Sequence, residues 1–131
     1  MKVVLDSYAL LVYINNEPPA DRVEKYLNLG REGKADLYMN VVNLGEVYYI
    51  LARKKGVDTA NLAMALLKEE PITFVAADER LSLLAGRIKA FHKLSYADAF
   101  AAATAIDLKA TLLTGDEEFK TIEDRIKIEW L

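Results

Sequence analysis

The sequence contains no cysteine, which excludes disulfide bonds and thiolate metal sites. It also contains no glutamine, and of its 131 residues only three are proline and one is histidine. Because cysteine is absent and His92 stands alone, no pair of a cysteine nucleophile and a histidine base competes for a catalytic role. We expect His92 to be a surface or packing residue. The lack of cysteine is also typical of a reducing compartment, so we expect a cytoplasmic protein.

Long apolar segments and an excess of positive charge are missing as well. The uncharged stretch Ala99–Ile106 is far shorter than the roughly 20 residues that cross a bilayer. Met1–Asp6 is charged within its first residues, so a signal peptide is not expected. The net charge of −3 argues against a nucleic-acid binder unless cations neutralise part of the acidic charge. The basic residues that could then face a phosphate backbone are Arg53, Lys54, Lys55, Lys89, Lys93 and Lys120.

The remaining composition is sufficient for a folded core. Hydrophobic residues make up 53% of the sequence and charged residues 28%, and a chain of this length buries roughly two-thirds of its unfolded surface. Short β-branched or apolar runs alternate with helical segments that begin at capping residues and end near glycine or proline. This alternation predicts an α/β fold, in which a mostly parallel sheet carries helices on both faces.

Capping and turn residues set the predicted boundaries. The predicted strands are Lys2–Leu5, Asp36–Met39, Ile72–Val75, Thr111–Thr114 and Ile126–Glu129. The predicted helices are Ser7–Ile14, a helix opened by Pro18 and Pro19 that ends near Gly30 and Gly33, a helix from the cap Asn40 to Lys55, Thr59–Glu69 with Asp58 as its cap, a helix from the cap Asp78 to His92, and a helix from Ser95 to about Lys109.

Four carboxylates lie near one end of this predicted sheet. Asp6 ends the first strand, Asp116 follows the fourth, and Asp98 lies at the start of the helix between the third and fourth strands. Glu46 lies within the helix after the second strand, where the residues three and four positions away are mostly apolar. Because the carboxyl ends of parallel strands open onto one crevice, we expect these side chains to lie close together.

Each acid also has a simpler structural explanation. Asp6 and Asp116 could cap the helix and the turn that follow them, and Glu46 could be solvated. Asp98 lies three residues after Ser95, which is the spacing of a reciprocal capping pattern at a helix start. The joint order of the acids along the alternating strands and helices favours a shared site over separate caps.

The shared site predicts a particular chemistry. Clustered carboxylates repel one another and raise one another's pKa, so a fold retains them when a cation binds there. Oxygen ligands favour Mg²⁺ or Mn²⁺ over zinc. Carboxylate-held metal ions are typical of enzymes that cleave phosphodiesters, and we predict hydrolysis without a covalent intermediate. Thr114 is a further candidate for contact with water or phosphate, although a bond from its hydroxyl to the backbone explains it equally well.

The segments around the acids have a recognisable order. They are Val3–Ser7, Asn43–Tyr48, Leu94–Ala105 and Leu112–Phe119. In order and spacing they resemble the motifs of PIN-domain nucleases, and especially of the single-domain VapC-type toxins of prokaryotic toxin–antitoxin pairs. The resemblance covers nearly the whole chain and implies a single PIN domain over residues 1–131.

The resemblance implies a three-layer α/β/α fold with a five-stranded parallel sheet in the order 3-2-1-4-5. It also implies an endoribonuclease that depends on Mg²⁺ or Mn²⁺, cleaves single-stranded RNA, forms a homodimer and is inhibited by a small antitoxin protein. Asp6, Asp98 and Asp116 would hold the metal, and Glu46 would bind it directly or through water.

Two positions depart from the pattern that the resemblance sets. Asn40 stands where serine or threonine is frequent, and Glu118 stands where a further aspartate is frequent, so a ligand role for Glu118 stays open. The target RNA is not readable from the chain. The tyrosines that include candidates for base stacking, beside their commoner role in core packing, are Tyr8, Tyr13, Tyr48, Tyr49 and Tyr96.

Other classes of protein fit the residues less well. A phosphatase of the haloacid dehalogenase type needs a second acid two residues after the first, where this chain has Tyr8. A receiver domain needs a phosphoacceptor after the third strand, and Asp78 comes late for that role. A PIN fold that serves only as a binding module would be expected to lack one of the four acids, and none is lacking. A PIN nuclease of RNA maturation stays as an alternative to a toxin.

Overall fold

The computed structural model describes residues 1–131 and consists of a parallel sheet between two layers of helices. The strands are β1 (Lys2–Leu5), β2 (Asp36–Asn40), β3 (Ile72–Val75), β4 (Thr111–Thr114) and β5 (Ile128–Trp130). The helices are α1 (Ser7–Ile14), α2 (Ala20–Arg31), α3 (Val41–Lys55), α4 (Val57–Leu67), α5 (Glu79–Phe91) and α6 (Tyr96–Leu108), and a 3₁₀ helix spans Glu117–Ile122. None of the helices has the length and apolar character of a membrane span.

The strand order is β3-β2-β1-β4-β5, and every pair is parallel, which confirms the predicted sheet. β1 lies at the centre, with Leu5 paired to Leu113 of β4. The chain runs outward from β1 in both directions, so the switch point of the sheet lies between β1 and β4. The residues that follow these two strands are therefore neighbours at the carboxyl edge of the sheet.

The alternation of side chains along the strands divides the core into two halves. On β1, Val3 and Leu5 pack against α1 to α4, whereas Val4 packs on the side of α5 and α6. On β4, Leu113 and Leu112 divide in the same way. Both faces of the sheet are covered, which explains why successive strand residues are apolar instead of alternating with polar ones.

Small side chains let α6 lie close to the central strands. The buried alanines of this helix are Ala99, Ala101, Ala102, Ala103 and Ala105. The helix contacts β1, β2 and β4, so it crosses the middle of the sheet. Its first turn, which contains Asp98, consequently lies over the carboxyl edge at the switch point.

Two predicted helix caps are confirmed and one is wrong. The Val42 N–H donates to Asn40 Oδ1 and the Leu81 N–H donates to Asp78 Oδ1, each at 2.9 Å. Asp58 does not cap α4. The helix begins at Val57, directly after Gly56, whose φ of +92° allows one residue to end α3 and start α4.

The last strand is shifted from its predicted position. Pairing with β4 begins at Ile128, opposite Leu112, instead of at Ile126. Ile126 is nevertheless buried in the half of the core formed by α5 and α6. Because Ile126 continues the same two-residue period, the apolar pattern does not reveal where pairing starts.

Asn40 joins the elements that carry two of the acids. Its Nδ2 donates to Thr104 Oγ1 of α6 at 3.1 Å, and the Thr104 hydroxyl donates to the Phe100 carbonyl at 2.7 Å. Asn40 and Thr104 are fully buried, so this bond is shielded from water. An asparagine at this position therefore caps α3 and also fixes α3 relative to α6.

Candidate metal and active site

Asp6 and Thr114 occupy the adjacent ends of β1 and β4. The Thr114 hydroxyl donates to Asp6 Oδ2, and the Ala9 N–H donates to Asp6 Oδ1 at 2.9 Å. Thr114 Oγ1 in turn accepts from the Asp116 N–H at 3.0 Å. Asp6 is therefore the cap of α1 and is also connected, through Thr114, to the backbone of another acid.

Glu46 reaches the same place from α3. Its Oε1 accepts a hydrogen bond from the hydroxyl of Ser7, which is buried in the first turn of α1 next to Asp6. Glu46 lies half-buried and lines a cleft with Asp6, instead of projecting from the outer surface of α3. The Ser7 bond holds its carboxylate in one orientation.

Asp98, Asp116 and Glu118 form a second group. One carboxylate oxygen of each lies within 4.8 Å of the other two. Ser95 Oγ accepts from the Asp98 N–H at 3.1 Å, but Asp98 does not return the bond that a reciprocal capping pattern requires, and its carboxylate lies among the other acids. Asp116 Oδ1 accepts from the Glu118 N–H at 3.0 Å and so caps the 3₁₀ helix.

These five carboxylates line one cleft at the carboxyl edge of the sheet, with a volume of about 310 Å³. Ser7, Ser95, Tyr8 and the apolar side chains of Leu11 and Ile50 complete its lining. No lysine or arginine lines the cleft, and none of the ion pairs of the chain involves these carboxylates. The structure thus brings the four predicted acids together, adds Glu118, and leaves their charge uncompensated.

Burial and mutual repulsion change the acidity of the group. Burial raises the pKa of Asp6 to about 7, with smaller contributions from Asp116 and Glu46, against the hydrogen bonds from Thr114 and Ala9. Burial also raises the pKa of Asp98 to about 8, helped by its hydrogen bond with Glu118 and by the charges of the other acids. Without a cation, the cluster therefore holds protons near neutral pH.

His92 and the basic residues considered as phosphate contacts lie outside the cleft. His92 Nδ1 lies 3.2 Å from a backbone carbonyl of the 3₁₀ helix and does not line the cleft. Among the basic candidates, Lys89 donates to the Leu94 carbonyl at 2.8 Å, and the Arg53 guanidinium lies 5.0 Å from the ring centroid of Tyr49. These groups have partners within the chain and are not part of the acidic site.

Sequence reasoning missed two residues that position the acids. Ser7 orients Glu46, and Asn43 Nδ2 donates to the Ala97 carbonyl at 3.0 Å, which ties α3 to the start of α6. Both lie close to a predicted acid, Ser7 directly after Asp6 and Asn43 one helical turn before Glu46. Proximity to an acid along the chain was the available signal.

The fold and the cleft together define an α/β/α protein that gathers carboxylates at the switch point of a parallel sheet. The model of the family described as PIN domain matches residues 3–124. The chain therefore belongs to the PIN domain family. A search of curated proteins finds no match to the chain.

Solved structures share this fold at low sequence identity. VapBC2 from Rickettsia felis, bound to a DNA fragment from its promoter, is 18% identical, with a TM-score of 0.79 and coverage of 98% of both chains. DNA-bound VapBC from Salmonella typhimurium is 18% identical, with a TM-score of 0.80 and coverage of 98% of this chain and 97% of the other. VapC20 from Mycobacterium tuberculosis, a toxin that cleaves the sarcin-ricin loop, is 17% identical, with a TM-score of 0.71 and coverage of 90% and 92%. The fold is thus that of VapC toxin structures.

The raised pKa values predict how stability depends on pH when divalent ions are removed. Asp6 and Asp98 have pKa values of about 7 and about 8 in the folded chain, against an ordinary value of 3.8. Between pH 5 and pH 8 the folded chain therefore holds protons that the unfolded chain has lost, so the free energy of unfolding should fall as pH rises. The expected loss for the two groups together is on the order of 6 kcal/mol. Denaturant titrations in a chelator at several pH values measure it.

Asp98→Asn removes one ionising group and should make the fall with pH shallower. Asp124→Asn, at an exposed position outside the cleft, is the matched control and should leave the fall unchanged. An equally steep fall in the Asp98→Asn variant would contradict the assignment of the effect to the cleft.

Proposed function

We propose that this chain is an endoribonuclease that depends on Mg²⁺ or Mn²⁺, cleaves single-stranded RNA, and acts in the cytoplasm as the toxin of a toxin–antitoxin pair. The observation that carries the proposal is the set of five carboxylates that line one cleft without any cationic side chain. Membership of the PIN domain family and the fold shared with VapC toxin structures support it.

The donor set fits a hard cation. All the charged groups that line the cleft are carboxylates, and no sulfur, imidazole or cationic side chain is present, so the cleft has a deficit of positive charge. A bound Mg²⁺ or Mn²⁺ would supply a hydroxide nucleophile near neutral pH and would neutralise charge on the phosphate oxygens.

The hydrogen bonds of the cleft suit particular roles for its residues. We assign Asp6, Asp98 and Asp116 to metal binding, and Glu46 to binding directly or through water. Asp6 is held by donors on both oxygens, so it loses little side-chain freedom on binding an ion. The Ser7 hydroxyl keeps Glu46 directed into the cleft.

Purified chain with Mn²⁺ should cut single-stranded RNA internally, and a chelator should stop the reaction. Asp6→Asn and Asp116→Asn should lower the rate by at least about 100-fold, because each removes charge that metal binding and transition-state stabilisation require. Cleavage of a labelled RNA and Mn²⁺ binding by calorimetry are the measurements.

The same assays supply the control. Asp124→Asn changes an exposed acid outside the cleft and should cleave at the wild-type rate. Circular dichroism must show that all variants are folded. Activity that persists in Asp6→Asn or Asp116→Asn would indicate a contaminant or another site.

We further propose that the chain forms a homodimer through α5. Leu83 and Phe91 of this helix are 70% and 81% exposed, and exposed apolar side chains of this kind favour burial against a second copy. Helix α4 is the other helix whose apolar residues could form such a contact, but Ala63 and Leu67 are buried in the core of the chain itself, which leaves Leu62 and Leu66 exposed.

Light scattering should therefore give twice the 14.7 kDa mass of one chain. Phe91→Glu places a charge in the proposed contact and should give the mass of a monomer. Leu66→Glu introduces the same charge at an exposed position on α4 and should stay dimeric. A monomer in the unaltered chain at tens of micromolar, roughly where such contacts persist, would rule out the dimer.

The surface beside the cleft supports a protein partner. A groove of about 520 Å³ between α1, α2 and α4 is lined by apolar side chains that include Ile14 and Leu66, and by the charged side chains of Arg31, Glu69 and Glu70. Helix α1 also supplies Leu11 to the acidic cleft, so the groove and the cleft lie along the same helix. An antitoxin could fill the groove with an apolar segment and place an arginine among the carboxylates, where its planar guanidinium pairs with two oxygens.

A partner that binds in this way should compete with Mn²⁺ and should block cleavage. Co-expression with the neighbouring gene, co-purification and mass spectrometry should reveal it, and removal of the partner should restore activity. Leu66→Glu should weaken its binding at least about tenfold while cleavage by the free chain persists, because Leu66 lines the groove but not the cleft. A chain that cleaves RNA but retains no partner and does not slow growth would favour RNA maturation. A chain that binds neither metal nor RNA would favour a binding module.

A further inference from the structure

The ring of Tyr8 lies directly on the backbone of Gly115. A Cβ atom at Gly115 would lie 2.3 Å from Tyr8 Cε1 and 2.8 Å from Cζ, distances at which one group must move. Gly115 does not have a positive φ, so the glycine provides space for the Tyr8 ring and not a special backbone conformation. Because Gly115 has no side chain, the Tyr8 ring can pack directly against the backbone at this position. We call this contact surface of Gly115 the seat of the ring.

This contact places an aromatic ring at the edge of the acidic cleft. Tyr8 follows Asp6 and Ser7 in the first turn of α1, and Gly115 precedes Asp116. Tyr8 lines the cleft, yet 41% of the residue is exposed. One side of the ring is therefore covered by the turn that carries Asp116, and another side is open to solvent beside the carboxylates.

An aromatic ring that is packed on one side and open on another, next to a site for phosphodiester cleavage, suits a nucleobase. Every base presents an apolar face that stacks on an aromatic side chain, and single-stranded nucleic acids are bound in this way. We propose that Tyr8, seated on Gly115, is the platform on which a base beside the scissile phosphate of RNA stacks. The inference rests on the proposed function and names a positioning residue for that substrate.

Other exposed tyrosines are less suited to this role. The ring of Tyr49 lies under the guanidinium of Arg53 and does not line the cleft. Tyr96 packs its ring against Phe100 at a centroid distance of 4.9 Å, and it does not line the cleft either. Tyr8 is the tyrosine of the cleft itself.

The test compares Tyr8 variants in cleavage and in binding. Tyr8→Leu should raise KM for a single-stranded RNA about tenfold, the order of magnitude of one base–aromatic stack, and Tyr8→Phe should behave as the wild type. Binding is followed by fluorescence anisotropy in the Asp98→Asn background, which keeps the ring and is not expected to cleave. Tyr49→Leu is the matched control, since it removes an equally exposed tyrosine outside the cleft.

An abasic nucleotide gives a readout that a merely structural role of Tyr8 would not produce. Moved along the RNA, it should weaken binding about tenfold at one position next to the cleavage point. In the Tyr8→Leu variant an abasic nucleotide at that position should not weaken binding further, because the stacking partner is already absent. If the abasic nucleotide weakened binding equally in the wild type and in Tyr8→Leu at every position, the proposal would be overturned.

Gly115→Ala tests the seat separately. Its Cβ should displace the ring and weaken RNA binding as Tyr8→Leu does, while in a Tyr8→Ala background Gly115→Ala should cause no further loss. Thermal melts show whether Gly115→Ala is folded; the abasic test with Tyr8→Leu decides the proposal if it is not.

Loss of binding in Tyr8→Phe, or an equal loss in Tyr49→Leu, would contradict stacking. A wild-type chain that never cuts RNA would refute the proposed function itself, whereas cleavage indifferent to Tyr8→Leu would refute only the platform.

Discussion

The repulsion among five carboxylates in one partly buried cleft is the constraint on which the rest of the structure depends. No cationic side chain reaches them, and burial raises the pKa of Asp6 and Asp98 well above the ordinary value. Burying charged groups that lack a partner costs free energy, so packing elsewhere in the fold must offset that cost. Here the two closed halves of the core, on either face of the sheet, supply the stability that the cleft removes.

The capping and ligand explanations of the acids are compatible, because one carboxylate has two oxygens. Asp6 Oδ1 accepts the N–H of Ala9 at the start of α1, while Oδ2 meets Thr114 from the neighbouring strand. Asp116 similarly uses Oδ1 to cap the 3₁₀ helix. A cap fixes the side chain that a metal site needs in one orientation, and the positive end of the helix dipole reduces the cost of its charge. Capping a helix therefore orients each of these two acids for a shared metal site.

The parts of the fold that local pattern decides could be predicted from the sequence, and those that tertiary contacts decide could not. β1, β3 and β4 have the predicted bounds because turn residues flank short apolar runs. Asp58 failed as a cap because Gly56 serves two helices at once, which depends on how α3 meets α4. The proximity of Asp6 and Asp116 was predictable because strand ends converge in any parallel sheet, whereas Glu46 and Asp98 were placed beside them by the order of the acids along the chain. The bond from Ser7 to Glu46 and the seat of Tyr8 on Gly115 join residues far apart in sequence, and no spacing rule reveals them.

Metal, protons and a partner's arginine would all draw on the same electrostatic free energy. Each relieves the repulsion among the carboxylates, so binding of one of them lowers the affinity of the cleft for the others. By thermodynamic linkage, this loss of affinity is equal in both directions for any two of them. A partner that inserts a guanidinium need not cover the RNA path to silence the site, because neutralising the cluster already weakens metal binding. The apolar side chains of the groove along α1 would then provide affinity that does not depend on the charge of the cleft. Such a partner would bind through charge in the cleft and through apolar contact in the groove. Because divalent ions compete only for the cleft, it would keep the chain inactive even where these ions are abundant.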